Sequence, residues 1–218
     1  MKNTDNKKPL IVFSGGLDSS FLLGQKLFEG DVYTLYIEGD QGPKKSHMEK
    51  SRRQEIIKEW EKLTRRDGKG GRVIDDYEVK IDVGIFSTKT KGEVPKFWKA
   101  HWKFKQAHTW LHGILSVVDP EIHSSVVMGY VAGDQIVYHL KDLENIWKSL
   151  SEISFYETVP LEFPLKYAKK KDLLRELPEP ISSLIWFCEN PRSLPDPCGE
   201  CVPCKTHAST VFSLTNKE

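Results

Sequence analysis

Leu10-Ile11-Val12-Phe13-Ser14-Gly15-Gly16-Leu17-Asp18-Ser19-Ser20 is the stretch that decides the fold. Leu10 to Phe13 are apolar and partly β-branched, which predicts a short buried strand. Ser14-Gly15-Gly16 is a turn. From Leu17 to Phe28 the apolar positions Phe21, Leu22, Leu23, Leu27 and Phe28 predict a helix, with Gly30 placed to stop it. A strand, a glycine turn and a helix start make an anion site: no Cβ blocks the ligand, and free N–H groups and the helix dipole face it. Ser14, Ser19 and Ser20 add hydroxyls, whereas Asp18 would repel an anion. A bridging divalent cation, Mg²⁺ first among them, resolves that conflict. The pattern lacks the lysine of a Walker A loop. An ordinary strand-turn-helix capped by Ser and Asp is the competing reading.

The 218 residues suffice for one domain, or one with a small appendage. The division is expected near residue 180, giving an α/β domain over 1–180 and a C-terminal segment over 181–218. No run of about 18 apolar residues predicts a membrane span. The polar start Met-Lys-Asn-Thr-Asp-Asn-Lys-Lys is unlike a secretory signal, so a cytoplasmic location is expected. A net charge of +1 argues against direct nucleic-acid binding. The 18 Lys and Arg against 10 Asp and Glu between Lys44 and Lys105 read as a solvated helix face and loop, with a basic patch for RNA or an anionic ligand as the other reading.

Asp31 to Ile37 predicts a second strand, so strand, helix and strand form a βαβ unit in a parallel sheet. Ligands then lie at the C-terminal strand ends, and the loop after Ile37 sits beside the phosphate turn, where adenine or ribose would be held. Further along, the patterns predict a charged helix over Ser46–Leu63, a strand over Val73–Val83 and a loop over Gly84–Pro95 covering the site. A long helix over Phe97–Val118, a strand over Ser124–Gly129 and a helix over Tyr138–Leu150 follow. Phe155–Phe163 reads as extended and Ala168–Leu177 as a short helix.

The four cysteines Cys188, Cys198, Cys201 and Cys204 lie within 17 residues as C-x9-C-x2-C-x2-C. Four thiolates so spaced suit a tetrahedral, structural Zn²⁺, with an iron–sulfur cluster as the alternative. Disulfides are the weaker reading without a secretory signal. His108 and His112 stand at i, i+4 without a third ligand and are read as surface or core residues. Asp134 and Tyr138 follow the fourth strand at the ligand edge, serving either the site or the scaffold.

The Ser-Gly-Gly-x-Asp-Ser loop resembles that of the PP-loop ATP pyrophosphatases, which cleave ATP between the α and β phosphates and adenylate a substrate oxygen. Together with the cysteine pattern it resembles the 7-cyano-7-deazaguanine synthase family, over roughly Leu10 to Ala208, with the middle of the chain matching least. The resemblance implies a Rossmann-like parallel sheet of the adenine-nucleotide α-hydrolase type with a C-terminal four-cysteine zinc segment, and a homodimer. It also implies conversion of 7-carboxy-7-deazaguanine with ATP, Mg²⁺ and ammonia to the nitrile, a step of queuosine and 7-deazapurine biosynthesis. By that resemblance Ser14, Gly15, Gly16, Leu17, Asp18, Ser19 and Ser20 hold the pyrophosphate, and Ile37, Gln41 and Gly129 lie at the nucleotide. Asp18, Lys170 and Asp134 are the catalytic candidates. Gly129, Asp134 and Tyr138 match a Gly-x4-Asp-x3-Tyr pattern, Pro164-Leu165 and Lys170 a phosphate-facing segment, and Gln41 and His47 a Gly-Gln-Arg-His segment with an insertion.

The departures fall on the acceptor side. No Arg-Asn pair stands near Trp102-Lys103-Phe104-Lys105, Ala132 replaces the family's glutamate, and Tyr138-His139-Leu140 replaces its Tyr-Pro-Asp. A divergent enzyme adenylating another carboxylate or stopping at the amide, and a catalytically silent ATP- and zinc-binding regulator, are the alternatives. No cysteine lies outside the set of four, which disfavours persulfide chemistry by this chain.

Overall fold

The structure, a computed structural model, describes residues 6–39, 42–66, 68, 70–81, 107–155 and 157–215. Five strands, β1 (Lys8–Val12), β2 (Val32–Glu38), β3 (Val73–Lys80), β4 (His123–Met128) and β5 (Leu161–Glu162), form one sheet in the order β3-β2-β1-β4-β5. Every pairing is parallel, with Leu10 opposite Tyr33 and Val126. The helices are α1 (Leu17–Glu29), α2 (Pro43–Arg65), a helix α3 described over 107–115, α4 (Leu140–Phe155), α5 (Lys170–Glu176), α6 (Glu179–Ser182) and α7 (Val202–Thr215).

Strand alternation sorts β1 between two apolar layers. Ile11 and Phe13 face Leu22, Leu23 and Leu27 of α1, Ile56 and Trp60 of α2, Leu173 of α5 and Ile181 of α6. Leu10 and Val12 face Leu111 and Ile114 of α3 and Leu143 and Trp147 of α4. Covering both faces is what a parallel sheet requires, and each fully buried Leu, Ile or Phe contributes about 1.5–3 kcal/mol. Two buried indoles are satisfied, Trp60 Nε1 donating to the Ser20 carbonyl at 2.9 Å and Trp147 Nε1 to that of Val159 at 2.6 Å, whereas Trp186 Nε1 has no partner among the described residues.

Several boundaries differ from the sequence reading. Tyr138 belongs to a 3₁₀ turn, Gln135–His139, and α4 starts at Leu140 and runs to Phe155, where extended chain was expected. Only Leu161–Glu162 of that extended stretch pairs as a strand. The expected loop over 84–95, the first part of the helix expected from Phe97, and Trp102 to Lys105 lie outside the described residues. Helix α7 was not foreseen. Its exposed Val202 and Phe212 break any apolar stripe, and Pro203 suits a first turn that needs no N–H there.

Candidate active site

The turn after β1 is knitted by its own hydroxyls. Ser14 Oγ accepts the Gly16 N–H at 3.4 Å and lies 3.2 Å from Ser19 Oγ, which accepts the Ser14 N–H at 3.3 Å. Gly15 takes φ +79°, a conformation that strains any residue with a Cβ. Its carbonyl accepts the Trp186 N–H at 3.2 Å, and a Cβ there would lie 3.1 Å from Arg53 Cγ. Gly129, at the end of β4, has Asp18 and Ser19 backbone atoms 3.1–3.2 Å from the place of a Cβ, which lets β4 abut the start of α1. The first intrahelical bond of α1 is Ser20 N–H to the Gly16 carbonyl, so the three preceding N–H groups face outward at the C-terminal edge of the sheet.

Above this turn opens a cavity of about 260 Å³. Of the expected residues, Ser14, Gly16, Asp18, Ser19, Ile37, Gly129 and Asp134 line it. Gly15 forms the back of the turn, Leu17 packs toward the core, and Ser20 is fully buried in α1 with its Oγ unpaired. Tyr138 stands exposed, outside the cavity lining. Gln41 lies outside the described residues.

Lys170, at the start of α5, reaches between two carboxylates: Nζ is 3.6 Å from Asp18 Oδ2 and 3.2 Å from Asp134 Oδ1. Asp134 also accepts the Val131 N–H at 3.1 Å, which fixes its orientation. Burial pushes Asp18 up to about 6; Lys170 pulls the other way, and the Asp134 charge adds to the rise. Burial by itself would lower Lys170, but the two carboxylates together raise its pKa, so the ammonium is retained. Asp18 Oδ1 is buried with no hydrogen-bond partner. A carboxylate oxygen so placed, beside outward-facing N–H groups, fits a hard cation such as Mg²⁺.

The opposite wall was not foreseen. Lys45 and Glu49 of α2, Tyr36 of β2, and the aromatic rings of Trp110 and Tyr130 also line the cavity. Tyr36 Oη donates to Glu49 Oε2 at 2.7 Å, and Lys45 Nζ lies 3.6 Å from Glu49 Oε1. Burial raises the Glu49 carboxyl against the pull of Lys45. Trp110 and Tyr130 lie nearly parallel, 11° apart with centroids at 6.3 Å, a flat apolar wall for a planar ring. Beneath, fully buried Arg53 ion-pairs with Asp76 and Glu78 and stands 4.7 Å from the Tyr36 ring centroid and 5.4 Å from that of Phe13. Side-chain burial shared across distant segments leaves no local periodic signal. The two lysines of the first turn of α2 were the one hint available.

The four cysteines converge as their spacing suggests: each has a sulfur within 4.8 Å of the others. Cys198 Sγ and Cys204 Sγ are 3.8 Å apart, the separation of two thiolates on one tetrahedral ion. Four thiolates each on its own iron of a cubane cluster stand farther apart, so the set fits a single ion. N–H groups of Cys201 and Glu200 point at Cys198 Sγ from 3.3 and 3.4 Å and pull its pKa down to about 6, whereas burial pushes Cys204 up to about 12. Cys188 and Cys204 pack with Trp186 and with Met48 of α2. His108 and His112 belong to no ligand cluster among the described residues.

No helix among the described residues is long and apolar enough to cross a membrane. No family model matches the sequence, and no curated protein sequence matches it. Solved structures resemble the chain, two of them as follows. The U34-tRNA thiolase NcsA from Methanococcus maripaludis, described with its [4Fe-4S] cluster, shares 11% identity over 98% of this chain and 68% of its own, with a TM-score of 0.46. The NMN synthetase from Francisella tularensis shares 13% identity over 98% of this chain and 79% of its own, with a TM-score of 0.49.

Proposed function

We propose that this chain is a PP-loop ATP-dependent C–N ligase that activates a carboxylate by adenylation and passes it to ammonia. The carrying observation is the pairing of a Ser-knit glycine turn with the Asp18–Lys170–Asp134 group, whose two carboxylates line the same cavity as the turn. The outward N–H groups of α1 and the Ser14 and Ser19 hydroxyls receive departing pyrophosphate, a preorganised electrostatic cradle. Asp18, with Asp134 across Lys170, would hold Mg²⁺, which when bound neutralises phosphate charge. Lys170 keeps a positive charge within reach of the same phosphates.

In the reaction an acceptor carboxylate oxygen attacks the α-phosphorus, giving an acyl-adenylate and pyrophosphate. Ammonia then attacks the acyl carbon, AMP leaves, and the nitrogen loses a proton to give the amide. A nitrile requires a second adenylation, on the amide oxygen, with AMP leaving as the C–N triple bond forms and the nitrogen loses its remaining protons. We take the acceptor to be 7-carboxy-7-deazaguanine, on the resemblance in sequence. The flat Trp110–Tyr130 wall suits a planar ring. The cysteine site is a structural Zn²⁺ site, all four positions being filled by protein. A homodimer in the cytoplasm is the matching setting.

A second reading has its own support. Ala132 stands where the resembling family has a glutamate, and its N–H is engaged by the Ala168 carbonyl at 2.9 Å. A different carboxylate, or arrest at the amide, follows if the acceptor pocket differs accordingly.

The test is mass spectrometry of the product from Mg-ATP, ammonium and 7-carboxy-7-deazaguanine, with Ser14→Ala and Asp18→Ala as controls. A nitrile mass absent from both controls supports the stated substrate. An amide mass alone, or no deazapurine product, moves the assignment to the second reading.

A further inference from the structure

We propose that Lys45 is a second phosphate-binding cation, reaching the nucleotide from the α2 side of the cavity opposite Lys170. The inference rests on the nucleotide reading given above. Charge on the cavity wall carries it. Among the described lining residues Lys45 is the one cation, set against the carboxylates of Asp18, Glu49 and Asp134. A wall with that balance repels a polyphosphate unless cations compensate, and Lys170 is already shared by two carboxylates.

The placement of Lys45 breaks a local rule. Lys44 and Lys45 stand in the first turn of α2, and no acidic residue does, although a helix N-terminus favours negative charge. Charges in the unfavourable place are retained where an anion comes to meet them. Lys44 answers to another partner, the Arg192 carbonyl at 2.7 Å. Among the described residues Lys45 pairs with Glu49 at a long 3.6 Å, and its side chain, 18% exposed, lines the cavity. The Glu49 backbone carbonyl lies 3.6 Å from the place of a Gly15 Cβ, which puts this part of α2 directly against the phosphate turn. A phosphate in the turn would therefore have Lys170 on one flank and Lys45 on the other. Leaving Glu49 for the phosphate exchanges a loose ion pair for a charge-assisted contact, while Glu49 keeps the Tyr36 hydroxyl.

The experiment compares Mg-ATP and Mg-pyrophosphate binding by calorimetry for the full chain and its Lys45→Met, Lys45→Arg and Lys44→Met variants, each checked by thermal melting. Loss of one charged contact is expected to weaken both ligands about tenfold in Lys45→Met, while Lys45→Arg stays within about threefold. Lys44→Met is expected to bind as the unaltered protein does. In turnover, KM for ATP rises in Lys45→Met. Should that variant fail to fold, Lys45→Gln carries the same comparison. Unchanged affinity in a folded Lys45→Met, beside binding by the unaltered protein, overturns the role of Lys45 alone. Binding of neither ligand by the unaltered protein overturns the nucleotide reading and this role with it.

Discussion

The Trp186 backbone N–H donates to the Gly15 carbonyl oxygen across 3.2 Å, so the segment that leads into the cysteine cluster closes the back of the phosphate turn. Trp186 also packs on Cys188, Cys204 and Met48 of α2. The four-cysteine cluster and the glycine turn thus share one layer of contacts. A metal held by these four buried or half-buried thiols would brace the residues that hold Gly15, and its loss would loosen them.

Metal removal is therefore expected to weaken nucleotide binding as well as stability. Treatment with a zinc-binding chelator, followed by dialysis into Mg²⁺, should lower Mg-ATP affinity about tenfold and lower the melting temperature, with both restored by Zn²⁺. Calorimetry and a melt on the same sample read it. Unchanged ATP affinity in metal-free, folded protein would uncouple the two sites.

Gly15→Ala tests the turn itself. At φ +79° an L-residue is strained by about 1–2 kcal/mol, and its Cβ would meet Arg53 Cγ at 3.1 Å. A modest loss of stability with a loss of Mg-ATP binding larger than tenfold is expected, measured by denaturant melts and calorimetry.

Asp18 sets a pH dependence. Its pKa in the folded protein, about 6, lies above the unfolded value of 3.8, so its ionised form opposes folding. That penalty is absent below about pH 4, grows as pH rises to 6 and is complete above it, reaching about 3 kcal/mol. Asp18→Asn is expected to match the unaltered protein at pH 4 and to be the more stable at pH 8. If Mg-ATP is held through this carboxylate as proposed, its binding falls as pH drops below 6 in the unaltered protein. In Asp18→Asn it should be weak at every pH. Melts and calorimetry from pH 4 to 8 check both halves.

Arg53→Met addresses the support beneath the site. The guanidinium is fully buried, and removing it leaves Asp76 without its ion pair and the Phe13 and Tyr36 rings without their cation. A loss of about 2–4 kcal/mol is expected from denaturant melts.

Local signals carried most of the fold. The β1 apolar run, the Ser14–Ser20 loop and the Val32–Ile37 strand each announce themselves within a dozen residues, and from them the parallel sheet and its ligand edge follow. The cysteine spacing likewise placed four sulfurs together. What escaped reading depends on distant partners. Arg53 sits in a polar, charged helix, and only the fold reveals that it runs beneath Gly15 rather than into solvent. Tyr36 and Glu49 meet across 13 residues, and Trp110 and Tyr130 across 20. Helix α4 ran five residues past its expected end, where Ser151 and half-buried Phe155 continue the buried face of Leu143 and Trp147.

The most direct measurement is exchange of labelled pyrophosphate into ATP, with Mg²⁺ and 7-carboxy-7-deazaguanine present and ammonium withheld. Adenylation at this cavity requires label in ATP that depends on the carboxylate and vanishes in Ser14→Ala. Release of ADP and phosphate instead, or no exchange while Mg-ATP binds, would contradict cleavage between the α and β phosphates with this acceptor.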